Sequence, residues 1–272
     1  MLAYEAQGPS AAPPVVLVHG WPLDRSIWSK VLAPIGSAGF QVVAVDLPGF
    51  GESPPINEAA ATVEAYADEV AVLLRKIAPG RIALAGHSFG GYVSLAFAER
   101  YPRLVPGLAL VSSRAIADSE ETRRGREETI GKVRAQGTAV LLPGLAERLV
   151  GPNADPKWRQ AAKTLIENAN PDAVIAGLRA MAARPDRSAI LEDLRAPLLV
   201  LHGDEDGLIP VSEVARPENP RGPVTMTILP GVGHMPMWEA PEATARALVA
   251  WAKVAHGRRW PPSRPVEPGR KV

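Results

Sequence analysis

The sequence of 272 residues contains no cysteine. Disulfides, thiolate metal sites, iron–sulfur clusters and cysteine nucleophiles are therefore excluded. Net charge is also almost absent, since 30 basic and 29 acidic side chains leave a formal charge of +1. Nucleic acid and anionic membranes attract proteins with a marked positive excess. The charge balance therefore gives no reason to expect either partner.

Long apolar runs are missing as well. No segment of the sequence reaches the roughly 18 consecutive apolar residues that a membrane-spanning helix requires. The N-terminal segment MLAYEAQGPS has neither the basic start nor the apolar centre of a secretory signal. Because 46% of the residues are hydrophobic and 22% are charged, the composition is that of an ordinary globular protein. We expect a cytoplasmic protein.

Short apolar segments alternate with helical patterns along the chain. The apolar segments lie at 15–18, 41–45, 81–85, 108–111, 198–201 and 225–229. Each is too short for a helix and nearly all apolar, as a parallel strand covered on both faces should be. Helical patterns lie between them at about 25–37, 62–77, 89–100 and 241–255. The alternation predicts an α/β fold with a mostly parallel central sheet flanked by helices.

One long interval, between residues 112 and 197, contains only helical patterns punctuated by prolines. Ligands of open α/β sheets bind at the carboxyl edge of the strands, where such an insertion would form a lid. The final segment holds five basic side chains, one acid and four prolines, which disfavour regular structure. The predicted organisation is a core of residues 1–113 and 197–256, a helical cap (lid) of residues 114–196, and a flexible basic tail of residues 257–272.

The motif that carries chemistry is Gly86-His87-Ser88-Phe89-Gly90, a G-x-S-x-G sequence directly between a predicted strand and a predicted helix. A sharp strand-to-helix turn strains the serine, and the residues two positions away must be small for the backbones to pass. The following helix N-terminus offers free N–H groups to a developing oxyanion. Phosphate-binding glycine patterns are absent from the sequence. The motif therefore predicts that Ser88 is a nucleophile.

A nucleophilic serine needs a base, and the base needs an acid that orients it. His234 follows the last predicted strand, where a side chain can reach the sheet edge, and we take it as the base. Asp204 and Asp206 both lie in the loop after the strand at 198–201, and chemistry alone does not choose between them. Along the chain the serine comes first, then the acid, then the histidine, which is the order expected of an α/β fold with its serine in a strand-to-helix turn. His19 and His202 each end a predicted strand before a glycine and are expected to pack or orient neighbouring groups. His87 is the variable residue of the serine motif, and His256 borders the tail.

Five motifs in this order make the chain similar to the α/β-hydrolase superfamily across roughly residues 2–255. They are His19-Gly20-Trp21-Pro22, Asp46-Leu47-Pro48-Gly49-Phe50-Gly51, Gly86-His87-Ser88-Phe89-Gly90-Gly91, Gly203-x-x-Asp206-x-x-x-Pro210 and Gly233-His234-x-Pro236-x-x-Glu239. The resemblance implies an α/β-hydrolase fold with an inserted lid. The fourth position of G-x-x-D-x-x-x-P implies that Asp206 is the acid of a Ser88–Asp206–His234 triad.

The resemblance also implies that the backbone N–H groups of Trp21 and Phe89 form the oxyanion hole. The segment 177–186 resembles enol-lactonases and carboxylesterases, and Trp21-Pro22-Leu23 resembles the loop of aryl esterases and cofactor-free haloperoxidases. Two segments depart from the family pattern: a leading β-hairpin that is expected to be incomplete, and a helix after Asp206 that three prolines should shorten or break. Neither bears on the triad. The side chains expected to contact the substrate are Trp21, Pro22, Phe50, Phe89, Met181 and Met235.

The function expected from these residues is hydrolysis of a small carboxylic ester or lactone through an acyl-enzyme, without a metal or other cofactor. Three alternatives stay open: a cofactor-free perhydrolase or haloperoxidase, a C–C bond hydrolase, and a ligand receptor on a hydrolase fold. A serine at position 88 argues against epoxide hydrolases and haloalkane dehalogenases, which carry aspartate there.

Overall fold

The computed structural model describes residues 1–214 and 216–257. The predicted tail, apart from its first residue, Gly257, lies outside the described residues. Seven strands form one sheet in the order β1-β3-β2-β4-β5-β6-β7, and every neighbouring pair except β1 and β3 is parallel. The strands are β1 (Tyr4–Gln7), β2 (Pro14–Val18), β3 (Gln41–Val45), β4 (Ala83–His87), β5 (Gly107–Val111), β6 (Leu198–Gly203) and β7 (Val224–Leu229).

Helices follow most of the strands, and five of them separate β5 from β6. The helices are α1 (Ser29–Ser37), α2 (Val63–Ile77), α3 (Phe89–Arg100), α4 (Glu120–Gln136), α5 (Leu142–Arg148), α6 (Pro156–Asn168), α7 (Pro171–Ala183), α8 (Ser188–Asp193), α9 (Pro236–Glu239) and α10 (Pro241–Gly257). This architecture confirms the predicted α/β-hydrolase fold. We use the name cap for residues 114–196, which contain α4 to α8; their treatment as a separate domain stays a prediction.

The site is positioned by a change of direction in the strand order. β2 lies between β3 and β4, so the chain builds the sheet outward on both sides of this strand. At such a switch point the loops that leave the carboxyl ends of adjacent strands diverge and open a crevice. The turns after β2 and β4, which carry Trp21 and Ser88, leave adjacent strands at this point.

Burial of the central strands on both faces explains their nearly continuous apolar sequences. The residues of β4 and β5 are buried throughout. Helix α3 is also buried over most of its circumference, from Phe89 to Ala98, which is why its sequence lacks an amphipathic pattern. Helix α2, in contrast, buries one face and exposes the other, as its apolar spacing predicts. The core therefore encloses the helix that starts at the candidate nucleophile.

Three elements differ from the sequence-based expectation. β4 ends at His87 because its last residues still pair with β5. Within the interval predicted to be helical, a 3₁₀ turn, Thr138–Leu141, precedes the short α5, in which Pro143 occupies the first turn. At the N-terminus β1 pairs antiparallel with β3, although its residues are mostly exposed and give no apolar signal. In place of a full helix after Asp206, the described residues 207–214 and 216–223 contain a 3₁₀ turn at Val211–Glu213, in line with the expectation from the prolines.

No helix among residues 1–214 and 216–257 is long and apolar enough to cross a membrane.

Replacing helix glycines by alanine tests how tightly the sheet and α3 are packed. A Cβ on Gly90 would lie 2.4 Å from the carbonyl oxygen of Val18 and 2.5 Å from that of His19, whereas a Cβ on the exposed Gly131 of α4 would contact nothing. We expect Gly90→Ala to lower the free energy of unfolding by about 1–3 kcal/mol through overpacking. Gly131→Ala should raise it by about 0.5–1 kcal/mol, because alanine loses less entropy in a helix. Urea denaturation measures both, and an equal effect of the two substitutions would contradict this account.

Candidate active site

The candidate nucleophile lies in the sharp turn between β4 and α3. Ser88 has φ 50° and ψ −115°, a strained conformation that L-residues rarely adopt. Two hydrogen bonds fix this turn: the Ser88 N–H donates to the carbonyl of Val111 at 2.9 Å, and the Ser113 hydroxyl donates to the Ser88 carbonyl at 2.8 Å. A Cβ on Gly86 would lie 2.2 Å from the Gly90 carbonyl oxygen. The glycines of the motif are therefore required by close approach of the backbone.

The candidate base and acid are in contact. Nδ1 of His234 lies 2.7 Å from Oδ2 of Asp206, and both side chains are buried. The other carboxylate oxygen accepts the backbone N–H groups of Leu208 and Ile209 at 2.8 and 2.9 Å. Burial alone would raise the pKa of the Asp206 carboxyl, but the facing His234 ring and the N–H of Ile209 hold it below its ordinary value. Asp206 is thus an ionised acceptor for the Nδ1 proton of His234.

The alternative acid has a different local contact. The carboxylate of Asp204 accepts the backbone N–H of Gly231 at 2.7 Å, in the turn that follows β7. Gly231 has φ 70°, so this contact stabilises a tight turn. Of the two aspartates that the residue chemistry left open, Asp206 is therefore the one that lies against His234.

His202, which was expected to pack or orient neighbouring groups, is a second imidazole at Asp206. Its Nε2 lies 2.8 Å from the Ile209 carbonyl oxygen and 3.3 Å from Oδ2 of Asp206. Burial keeps the pKa of His202 below its ordinary value despite the neighbouring carboxylate. A neutral ring with its proton on Nε2 satisfies both contacts, so His202 helps to orient the loop that holds Asp206.

Two further residues hold the loop of His234. The Nε2–H of His87 donates to the His234 carbonyl at 2.8 Å, and the two ring centroids are 4.8 Å apart. Burial lowers the pKa of His87 well below its ordinary value, so this ring is neutral. On the other side, Oε2 of Glu239 accepts the N–H of Gly233 at 3.1 Å and that of Gly151, in the cap, at 2.8 Å. The loop that carries His234 is therefore fixed to both the serine turn and the cap.

The role of His87 was missed because the second position of G-x-S-x-G varies in the motif. Glu239 belongs to the last of the five family motifs, but the hydrogen bond by which its carboxylate joins the loop to the cap is made with the distant Gly151. His19 has the packing role that was expected of it: its Nδ1–H donates to the Gly20 carbonyl and its Nε2 accepts the Leu47 N–H, each at 2.9 Å.

The turn after β2 lies against the serine. A Cβ on Gly20 would be 3.1 Å from the Cβ of Ser88, which places the neighbouring Trp21 beside the nucleophile. The indole N–H of Trp21 donates to the Val174 carbonyl of α7 at 3.0 Å, so its side chain extends under the cap. The peptide bond between Trp21 and Pro22 is cis. Phe89, on the other side of Ser88 along the chain, is the first residue of α3. Its backbone N–H therefore has no acceptor within the helix.

Ser88 opens onto a cavity of about 610 Å³ between the sheet edge and the cap. Trp21 and Met181 line this cavity, while Pro22 and Phe50 line a separate, smaller cavity. Phe89 and Met235 are fully buried. The cavity therefore brings two of the predicted substrate contacts next to Ser88, and the contacts of Pro22, Phe50, Phe89 and Met235 stay predictions. Among the residues that the structure describes, no group of three or more histidine or acidic side chains is arranged to hold a metal ion.

Comparison with known proteins agrees with this geometry. The model of the alpha/beta hydrolase family matches residues 15–247. A pimeloyl-acyl-carrier-protein methyl ester esterase of Vibrio vulnificus is 29% identical over 259 residues, covering 92% of this chain and 98% of that protein. A thermophilic esterase from Thermogutta terrifontis superposes with a TM-score of 0.84 at 34% identity, covering 94% of both chains. The enol-lactonase from Burkholderia xenovorans LB400 shares the fold, with a TM-score of 0.81 at 22% identity over 92% of this chain and 95% of that one.

A mostly parallel sheet with a strained serine at the head of a buried helix defines an α/β hydrolase. The chain belongs to the alpha/beta hydrolase family. Within that family it is a hydrolase of the esterase type.

The position of Glu239 generates a prediction about stability. Its carboxylate accepts the backbone N–H groups of Gly151, Gly233 and, at 3.3 Å, Met235. Glu239→Ala leaves these buried donors unpaired, and we expect the free energy of unfolding to fall by at least about 2 kcal/mol, because an unsatisfied donor costs about 1–3 kcal/mol. Glu239→Gln keeps one acceptor oxygen and should cost less.

The matched control is Glu242→Ala, at an exposed position in the first turn of α10, where an acid is worth about 0.3–1 kcal/mol. Chemical denaturation of the three variants gives the comparison. Equal losses for Glu239→Ala and Glu242→Ala would show that Glu239 does not hold the loop.

Proposed function

We propose that the protein hydrolyses small carboxylic esters or lactones through an acyl-enzyme, with Ser88 as nucleophile, His234 as base and Asp206 as the acid that orients it. The observation that carries the proposal is the contact between two buried side chains, His234 and Asp206, together with the bond from His87 that joins the loop of His234 to the strand leading into the serine turn. A strained serine that opens onto a cavity supplies the third member.

The contact between His234 and Asp206 determines which nitrogen acts as the base. Because Nδ1 faces the carboxylate at 2.7 Å, it carries the proton of the neutral ring, and the lone pair is on Nε2. Nε2 takes the hydroxyl proton of Ser88 as Oγ attacks the carbonyl carbon. The ionised Asp206 stabilises the imidazolium that forms.

The tetrahedral intermediate carries a negative charge on the former carbonyl oxygen. We assign its stabilisation to the backbone N–H groups of Trp21 and Phe89, which flank Ser88 on two sides, with the N-terminal dipole of α3 adding to the second. Collapse of the intermediate breaks the C–O bond, and the leaving oxygen takes the proton from His234. Water then attacks the acyl-enzyme, gives its proton to His234, and releases the acid and free Ser88.

Esters and lactones share this chemistry, and a lactone differs only in that its leaving alcohol stays attached to the acyl group. The perhydrolase, C–C hydrolase and receptor alternatives would use the same residues, and no contact among the described residues favours one of them. The expectation of a cytoplasmic enzyme also stays a prediction. A panel of p-nitrophenyl esters from C2 to C12, γ-lactones and an enol-lactone tests the proposal. Steady turnover supports it, while an acyl burst without turnover supports the receptor.

The first catalytic prediction concerns the serine and the histidine as a unit. Ser88→Ala and His234→Ala should each fold normally and lose most turnover, leaving about 10³–10⁴-fold acceleration over water from binding and oxyanion stabilisation. Because neither residue works without the other, the double variant should lose little more than each single variant. The kcat of the three variants on one ester decides the matter: additive losses would mean that the residues act independently.

The second catalytic prediction compares the two aspartates. Asp206→Asn should reduce kcat far more than Asp204→Asn, since only Asp206 lies against Nδ1 of His234. The corresponding change in serine proteases lowers kcat about 10⁴-fold, and we expect a loss of that order here. Asp204→Asn keeps an acceptor oxygen for the Gly231 N–H and serves as the matched control. If Asp204→Asn proved the more damaging substitution, the assignment of the acid would be wrong.

A further inference from the structure

The cavity in front of Ser88 is lined by charges of predominantly one sign. Its charged lining residues are four cations and one acid: Arg114, Arg126, Lys132, Arg148 and Glu213. This imbalance contrasts with the nearly neutral chain as a whole. A cavity with low-dielectric walls concentrates the electrostatic field of the charges that line it. The excess of positive charge therefore affects which substrates enter.

Helix α4 shows how the imbalance is built. Over Glu120–Gln136 it contains four acids and five cations, in an almost balanced sequence. The residues that face the cavity recur at helical spacing and include no acid: Thr122, Gly125, Arg126, Thr129 and Lys132. Glu127 and Glu128 instead line a separate groove outside the cavity, together with Arg123 and Arg124. The side of α4 that faces the cavity is therefore cationic because of the orientation of the helix, although the helix sequence as a whole is almost balanced in charge.

Two of the cavity arginines are already paired. Arg114 binds Asp118 at 3.0 Å and also Glu213, while Arg126 binds Asp118 at 2.5 Å. The buried Asp118 also accepts Arg184 at 2.8 Å, so two carboxylates face three guanidinium groups. This network holds the start of α4 beside the cavity.

The other two cations have no acidic partner among the described residues. The Nε–H of Arg148 donates to the backbone carbonyl of Gly207 at 2.8 Å, which leaves its charge unpaired. The side chain of Lys132 makes no hydrogen bond or ion pair with residues 1–214 and 216–257, and it is exposed at the cavity. An unpaired ammonium that shares a cavity with the candidate nucleophile is available to a substrate anion.

We propose that this cavity selects esters or lactones that carry a carboxylate, with Lys132 as the specificity-determining residue that binds it. The proposal rests on the proposed function, since Ser88 must act on the ester carbonyl while the carboxylate binds at Lys132. A carboxylate is favoured over a more highly charged anion because, among the described cations of the cavity, only the side chain of Lys132 makes no contact with a protein acceptor, whereas Arg148 is held by the Gly207 carbonyl. The substrate class is then the half-ester of a dicarboxylic acid, or a lactone bearing one carboxyl group.

Matched pairs of esters test the selection. Monomethyl succinate, glutarate and adipate are each compared with the methyl ester in which a methyl group replaces the carboxylate, by titration of released acid at constant pH. For the length that spans the cavity, kcat/KM should be at least about tenfold higher for the anionic ester, and the preference should fall as ionic strength rises. An equal or lower kcat/KM for all three anionic esters would overturn the proposal.

Substitution of Lys132 tests the residue. Lys132→Met keeps the length of the side chain and removes the charge, and it should lower the anionic-to-neutral ratio of kcat/KM about five- to tenfold, with the larger change in KM. Lys132→Arg should restore most of the ratio. Lys253→Met, an exposed position on α10 outside the cavity, is the matched control and should keep the parent ratio. A ratio that Lys132→Met does not change would remove Lys132 from the proposal.

A binding measurement separates failure of this proposal from failure of the proposed function. Pentanoate and pentanamide have the same chain length and differ in the charge of one end group, and calorimetric titration of the unmodified protein with each requires no turnover. Tighter binding of pentanoate that Lys132→Met abolishes supports the anion site even if every ester in the panel is left intact, which would overturn the hydrolase. Ester hydrolysis with equal binding of the two compounds would keep the hydrolase and overturn the anion site.

Discussion

The rest of the site depends on the strained backbone of Ser88. A residue at φ 50° persists only where its surroundings determine its conformation. Here the surroundings are the paired end of β4, the N-terminus of the buried α3, and glycines that let both backbones approach. The strain projects the hydroxyl from the sheet edge and leaves the helix N–H groups beside it. The packing of the core around α3 therefore also determines the conformation that Ser88 needs for its proposed role as nucleophile.

The histidine loop is held from three directions. His87 binds its backbone from the serine turn, Asp206 binds the ring of His234, and Glu239 joins the loop to the cap through Gly151. Each contact joins residues that are far apart in sequence, so the geometry exists only when the whole fold is formed. This arrangement restricts the imidazole to one orientation before a substrate arrives, which is the condition for an oriented base to act without reorganisation.

Much of the fold followed from local patterns. The buried parallel strands have continuous apolar sequences, and the serine motif lies between a strand and a helix because its glycines allow that turn. Exposed or irregular elements were harder to predict: β1 carries no apolar pattern, and the 3₁₀ turn that precedes α5 lies in an interval that contains only helical patterns. The roles of His87 and Glu239 depend on contacts between distant segments, for which single-sequence spacing carries no signal. The choice of Asp206 over Asp204 needed the family motif, and the structure then showed which carboxylate lies against the ring.

Trp21 joins the core to the cap through a single side chain. Its backbone belongs to the turn beside Ser88, while its indole N–H is bonded to the Val174 carbonyl and its ring lies against Gly177 of α7. Any displacement of α7 that breaks this bond changes the polarity around the indole and pulls on the turn at the same time. In a variant whose other five tryptophans are replaced by phenylalanine, Trp21 would therefore be an intrinsic fluorescent reporter of cap position, and its emission would record any movement of α7 on the time scale of that movement.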